Sequence, residues 1–156
     1  MGELKLEDIK EFAKNMPGGF FIYKRDETEE LLFLNDVMLD IYGCENLSEF
    51  KELTGFRFSG MVHPEDVEAI ETSISQQVDV NDMRLDYVEY RIVRKDGHIR
   101  WVSDYGKMVQ TEEYGDVFYV FISDITDKVL MEKELEEKRN AELELMRERQ
   151  INEVKT

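Results

Sequence analysis

The sequence predicts an α+β domain, an antiparallel sheet carrying short helices on one face, followed by a helical connector. Three observations predict it. The first half alternates short strand-like and helix-like runs, and the hydrophobic period then changes from helical to two-fold near residue 85. Three long strand-like runs follow, separated by turn residues at Lys95-Asp96-Gly97-His98 and Glu113-Tyr114-Gly115-Asp116. After Asp124 the composition turns to Glu, Lys and Arg with no Gly or Pro, which is the composition of an exposed helix.

From the N-terminus, apolar residues at Leu6, Ile9, Phe12 and Ala13 give an amphipathic helix over Leu4–Met16, stopped by Pro17-Gly18-Gly19. Phe20–Tyr23 and Leu31–Leu34 are two short strands that can pair across the charged loop Lys24–Glu30. Asn35 is placed as the N-cap of a helix over Val37–Tyr42, with Gly43 as its left-handed C-cap. Ser48 is expected to cap Glu49–Leu53, which Gly55 ends. In His63-Pro64-Glu65-Asp66 the proline lacks an N–H that a first helical turn does not need, and two acids favour the positive helix end. Val67, Ile70, Ile74 and Val78 continue that helix along one apolar stripe.

The second half is read as a meander of Leu85–Arg94, His98–Gln110 and Val117–Ser123, with Asp96-Gly97 predicting a type I′ hairpin turn. Alternation in Val117–Ile122 is impure, so the sheet is expected to be covered on both faces. The closing helix makes a weak coiled coil: a seam through Met131, Leu135 and Leu145 also takes in Lys138, Glu142 and Arg149. Its pattern runs to Thr156 without a stop, so a longer protein is expected. The organisation is an N-terminal helix (1–16), a core (17–126) and a connector (127–156).

Composition bounds the function. With 36 acidic against 20 basic residues the net charge is −16, which repels nucleic acid and anionic membrane surfaces. The lone Cys44 leaves no internal disulfide and fits a reducing, cytoplasmic setting. No signal-peptide pattern, no myristoylation residue and no run of about 20 apolar residues is present. Two isolated histidines and one cysteine do not make a zinc site, and His63 is read as a capping or packing residue, His98 as solvated. No glycine-rich phosphate loop or nucleophile triad occurs, and the acids are expected mostly in turns, helix starts and exposed helical faces. Catalysis is therefore not expected. A small α+β enzyme, the reading from another class, would need a buried acid with a raised pKa. Glu89 and Arg91 share a strand face and can pair with each other or across to a neighbour, and Asp124 can cap the connector, with Asp127 three positions on.

Four segments, in order, resemble the PAS sensory domains. Phe33-Leu34-Asn35 through Ile41-Tyr42-Gly43 is similar to that family's strand-to-helix segment, and Val62-His63-Pro64-Glu65-Asp66 to its helix start. Glu89-Tyr90-Arg91-Ile92 with Lys95-Asp96-Gly97 and Arg100-Trp101-Val102 resembles its central hairpin, and Asp124-Ile125-Thr126 the end of many bacterial cores. The resemblance implies a five-stranded antiparallel sheet in order 2-1-5-4-3 and a bacterial signalling role, relaying to an effector such as a diguanylate cyclase or histidine kinase. It implies a ligand pocket between sheet and helices, for which Phe33, Met38, Ile41, Tyr42, Phe58, Met61, Val67, Ile70, Ile74, Tyr90 and Tyr119 are the candidates. These are large, so a filled core is the simpler reading and a small ligand site the alternative. Asp124, Ile125 and Thr126, with Glu89 and Arg91, are the candidates for signal transmission. Cys44 sits in Gly-Cys-Glu-Asn rather than the Asn-Cys-Arg-Phe-Leu context of flavin-binding relatives, so flavin is disfavoured, as is haem on His63; no cofactor is assigned. The partners expected are a second copy, docked through Leu6, Ile9 and Phe12, and a covalently linked effector domain; a small-molecule ligand is an open option. A purely structural interaction domain is the alternative within the same fold.

Overall fold

The computed structural model describes residues 6–155, with the backbone alone for Leu6 and Lys155. In chain order the elements are α1 (Leu6–Lys14), β1 (Gly19–Lys24), β2 (Leu31–Leu34), α2 (Asp36–Tyr42), α3 (Leu47–Thr54) and a 3₁₀ turn at Phe58–Gly60. Then come α4 (Val67–Val80), β3 (Leu85–Val93), β4 (Ile99–Thr111), β5 (Gly115–Asp124) and α5 (Thr126–Lys155). The expected elements all form; Leu4 and Lys5 of the first helix lie outside the described residues. The strands make one antiparallel sheet in the order β2-β1-β5-β4-β3. The chain divides into two compact units after Asp124. The second is the single helix α5, whose apolar residues from Leu130 to Val154 are exposed.

Strand register fixes what each face carries. Asp104 is paired with Val88 on one side and Ile122 on the other, and Tyr23 with Phe118. By two-fold alternation the inner face therefore collects Tyr23, Phe118, Val120, Ile122, Tyr90 and Asp104. All are buried, and the core they form is closed by residues of α2, α3, the 3₁₀ turn and α4. Gln77 of α4 clamps that helix to β3, accepting from the Tyr87 N–H (2.9 Å) and donating to its C=O (3.0 Å).

The outer face carries Phe20 with Phe33 and Tyr119, ring centroids 6.2 and 6.1 Å apart. Here α1 meets the sheet only in part. A groove of about 980 Å³ runs between Ile9, Phe12 and Met16 and the strand residues Phe20, Ile22 and Tyr119. Towards β3 and β4, Tyr87 and Tyr105 pack on each other at 4.5 Å and stay exposed. Trp101, opposite Arg91 and half-buried, belongs to this face too. Two-sided apolarity thus marks a face that the first unit leaves partly open.

Four local expectations need correction. Asn35 holds the N-cap position of α2, but its side chain makes no capping bond; it is buried, accepting from the Phe20 N–H (3.0 Å) and donating to the Ala13 and Gly18 carbonyls (both 3.0 Å). Its amide ties the end of α1 to β1, three bonds that outweigh one at a helix end. The cap of α3 is Asn46, not Ser48, accepting from the Glu49 N–H at 2.9 Å. The 95–98 turn is not type I′: only Gly97 has positive φ (88°), and its N–H closes on the Arg94 carbonyl at 2.9 Å, a longer loop with a left-handed last residue. Finally, Pro64 precedes α4 by a full turn, because Asp66 turns its carboxylate to Arg91 and away from the helix amides.

Candidate functional site

Along β3, buried Asp86, Val88, Tyr90 and Ile92 alternate with more exposed neighbours, so Asp86 points inward with the apolar residues. On β4 the same parity takes Val102, Asp104, Gly106 and Met108 inward. Asp86 lies opposite Gly106 and Asp104 opposite Val88. The two acids are therefore diagonal neighbours on one face, about 7–8 Å apart at Cα for such a pair.

Gly106 makes the arrangement possible. A Cβ there would collide with Asp86 Oδ2 and stand 2.8 Å from Oδ1, so the carboxylate occupies space that any other residue at 106 would fill.

The polar groups are only partly satisfied. Asp104 is 1% exposed; Tyr90 donates its hydroxyl to Oδ2 at 2.8 Å, and Oδ1 has no partner. Asp86 is 5% exposed and neither oxygen is partnered. Burial, followed by the nearby Asp86 charge, pushes the Asp104 carboxyl up to about 8 against the lowering bond from Tyr90. Burial alone raises Asp86 to about 6. Three phenols surround them, Tyr23, Tyr42 and Tyr90, all held well above their ordinary range by burial first and by the Asp104 charge second. Tyr42 donates to the Met61 carbonyl at 3.0 Å.

Aromatic rings wall this region. Tyr23 stacks on Phe58 at 4.6 Å and on Phe118 at 5.0 Å, and Phe58 meets Tyr90 edge-on at 6.0 Å. A hollow of about 400 Å³ borders this stack, lined by Tyr23, Phe58, Ile74 and Phe118 with the charged Lys24, Arg25, Asp26, Glu27, Glu29 and Glu71. Glu29 is raised to about 7, by burial first and then by its hydrogen bond to and charge repulsion from Glu71. Arg25 borders the same hollow, donating to Met108 Sδ at 2.8 Å and pairing with Asp79 at 3.2 Å. The outer groove is larger, but it is a trough of mainly aliphatic and aromatic side chains; the unpartnered acids make the inner region the candidate site.

Most of the sequence-derived pocket residues meet here. Met38, Ile41, Tyr42, Phe58, Met61, Ile74 and Tyr90 are buried in this core, with Val67 and Ile70 packed against its edge. Phe33 and Tyr119 are not: both lie on the outer face, because Tyr119 pairs with Ile22 and alternates with the inward Phe118 and Val120, while Phe33 also pairs with Ile22.

Glu89 and Arg91 do not pair with each other. Arg91 forks onto Asp66 (2.7 and 3.1 Å) and reaches Glu65 (3.2 Å), and its hydrogen bond holds the Asp66 carboxyl below its ordinary value. Glu89 instead accepts from the Tyr87 hydroxyl at 2.6 Å. Asp124 ends β5 and accepts from Arg100 Nε at 2.9 Å; Ile125 and Thr126 open the second unit. Ile9 is half-buried and Phe12 is 73% exposed, while the side chain of Leu6 lies outside the described residues. His63 Nδ1 accepts from the Glu65 N–H at 3.1 Å, His98 lies exposed beside Asp96, and Cys44 is buried with its thiol pushed up by burial.

Sequence reasoning missed Asp86, Asp104, Tyr23 and Phe118. Acids are expected outside a core, yet the parity of Asp86-Val88-Tyr90-Ile92 and Val102-Asp104 places these two inside.

A family model described as the PAS fold matches residues 31–122. Among solved structures, the PAS domain of a Colwellia psychrerythraea protein is 21% identical, covering 78% of this chain and 98% of that one at a TM-score of 0.59. A sensory box histidine kinase/response regulator from Burkholderia thailandensis is 20% identical, with 84% and 92% covered and a TM-score of 0.61. The PAS domain of the fruit-fly ELK potassium channel is 16% identical, with 80% and 99% covered and a TM-score of 0.58. No curated protein matches the chain.

Proposed function

The chain belongs to the PAS fold family, and on that premise we propose that it is a cytoplasmic signal-sensing and dimerisation module that regulates a covalently linked output domain. The observation that carries the reading is a receptor-like core: a hollow beside a wall of stacked aromatics, with two buried carboxylates left without full partners. Sensory proteins of this fold include the Burkholderia histidine kinase/response regulator, which favours a kinase as output; a diguanylate cyclase is the other effector of this proposal. The connector is α5, and Asp124, Ile125 and Thr126 are its junction with the sheet, Asp124 being held from β4 by Arg100. No described helix is long and apolar enough to cross a membrane.

Native mass spectrometry of the purified chain, paired with its visible spectrum, tests the reading. A co-purifying small molecule supports sensing. Hydrogen exchange in α5 that is the same whether the core site is filled or empty would remove the relay.

The second copy docks in this proposal through α1 and the outer face, where Phe12 stands 73% exposed beside an apolar groove. Phe12→Glu should weaken the dimer at least tenfold in sedimentation equilibrium and leave the melting temperature of the monomer within a few degrees, since surface changes usually cost within about 0.5 kcal/mol. A wild-type chain that sediments only as monomer at micromolar concentration contradicts the dimer.

Asp104 also supports a second reading, because a buried acid with a raised pKa is what a small α+β enzyme requires. Its neighbours are phenols kept protonated by burial, which make poor bases or nucleophiles. Turnover of any substrate that disappears in Asp104→Asn would establish it.

A further inference from the structure

Among the described residues, three buried acceptor oxygens have no hydrogen-bond donor: both of Asp86 and Oδ1 of Asp104. Native cores leave few such atoms, because a buried acceptor without a donor keeps the full cost of its lost hydration. Neighbouring carboxylates repel each other as well, a repulsion that a proton on one of them or a positive group beside them relieves. Among the described residues, no lysine, arginine or histidine is buried in the core that surrounds them.

We propose that this site takes the ammonium group of a small primary amine, its three N–H donors bound by Asp86 and Asp104 and its apolar body held against the rings of Tyr23, Phe58 and Phe118. The inference deepens the sensory reading by naming the ligand class, and it rests on that reading.

The match is one of count and of charge. An ammonium carries three donors and no acceptor, against three free acceptors and a fourth oxygen already served by Tyr90. The aromatic wall already holds one cation, Arg25, whose guanidinium lies 5.9 Å from the Phe118 ring centroid, so these rings suit an organic cation as well as an apolar body. The hollow is lined by Asp26, Glu27, Glu29 and Glu71 against Lys24 and Arg25, and this acidic excess, with a net charge of −16, draws cations towards the site. Tyr23 borders both regions: it lines the hollow, and its hydroxyl feels the charges of Asp104 and Asp86. Neither acid lines the hollow, so entry requires the rings that do to move. A wall without carboxylates would suit an alcohol or a fatty tail; this one does not.

Binding couples to protons in a defined direction. The groups facing the pair are Tyr23 of β1, Tyr42 of α2 and Tyr90 of β3, with Lys24, Arg25, Asp26, Glu27, Glu29 and Glu71 at the hollow; the phenols stay neutral throughout. Asp104 is mostly protonated at pH 7 and must release its proton to meet an ammonium. Affinity should rise about tenfold per pH unit between pH 6 and 8 and level off above.

The test is calorimetric titration of the whole chain with butylamine and phenethylamine, against butanol and 2-phenylethanol, at pH 6, 7 and 8. The expected result is binding of the amines alone, with proton release visible as a dependence on buffer ionisation enthalpy. Asp86→Asn and Asp104→Asn should each weaken amine binding at least tenfold while keeping the wild-type circular dichroism. Equal binding of the alcohols, unchanged affinity in both variants, or no amine binding in any arm overturns the proposal. In the last case a co-purifying ligand of another class in native mass spectrometry would leave the sensory reading standing, whereas failure of the relay measurement would remove that reading independently.

Discussion

Asp104→Asn should make the protein more stable at pH 8, against the usual direction of core substitutions. The wild-type carboxyl titrates at about 8 in the fold and near the ordinary 3.9 in the unfolded chain. Between those values the folded state binds more protons than the unfolded one, so the contribution of Asp104 to stability falls as pH rises from about 4 to 8. Each unit of difference is worth about 1.4 kcal/mol. Halving the total for relaxation of the buried site leaves a gain of about 2–3 kcal/mol for the neutral amide, or about 5–10 °C in melting temperature. The amide of the variant keeps an acceptor oxygen for the Tyr90 hydroxyl. At pH 5 the gain should shrink to about 1 kcal/mol. Asp86 and Glu29 titrate upward for the same reason and carry the same sign. Asp66 and Asp96, held low by Arg91 and by the His98 amide, act oppositely and lose stability in acid. Wild type should therefore be most stable in mildly acidic solution, and thermal melts from pH 4 to 9 should show that maximum flattened in the variant. An Asp104→Asn protein that melts below wild type at pH 8 contradicts this account of the buried charge.

Gly60→Ala should be the most damaging single methyl in the chain. A Cβ at Gly60 would be driven into the Thr54 carbonyl oxygen, 2.7 Å from its carbon and 3.2 Å from the Thr54 Cα. Those atoms are backbone and cannot swing aside. Thr54 is itself buried and pinned, its hydroxyl donating to the Phe50 carbonyl at 2.8 Å and accepting from the Phe56 N–H at 3.1 Å. Relief must shift the 3₁₀ turn that seats Phe58 in the aromatic stack. We expect a loss of about 3 kcal/mol or more, visible as a melting temperature about 10 °C lower or as insoluble protein. Gly115→Ala is the control. Nothing lies within 4 Å of its Cβ, so only the φ of 70° is paid for, at about 1 kcal/mol. If both variants melt together, the close approach is wrong.

Much of this fold was legible because period and punctuation agree along the chain. Gly43 and Gly55 end their helices in the left-handed conformation, and the change of period near residue 85 marks a real sheet. Errors came where a polar side chain serves tertiary structure instead of its own segment. Asn35 and Asp66 both stand at helix starts, but their side chains bond to β1 and β3, 15 and 25 residues away, instead of to the helix amides. The site was half legible for a related reason. Its apolar lining could be read from helical stripes, but an inward placement of Phe33 and Tyr119 ignores strand parity. Asp86 and Asp104 break the rule that acids face water, and here the alternation of their own strands is the stronger guide. A carboxylate in phase with Val88, Tyr90 and Ile92 is the signal that would have found them.

Trp101 gives the molecule a built-in optical reporter. It is the single tryptophan, half-buried on the outer face, and its strand neighbours at 102 and 104 point into the core. Its emission should therefore respond to what happens on one side of the sheet. A blue shift on concentration would register burial of the outer face, while filling of the core acts on the opposite face of the same strand. Wavelength against concentration and intensity against added ligand thus separate assembly from occupancy in one cuvette, with no label attached.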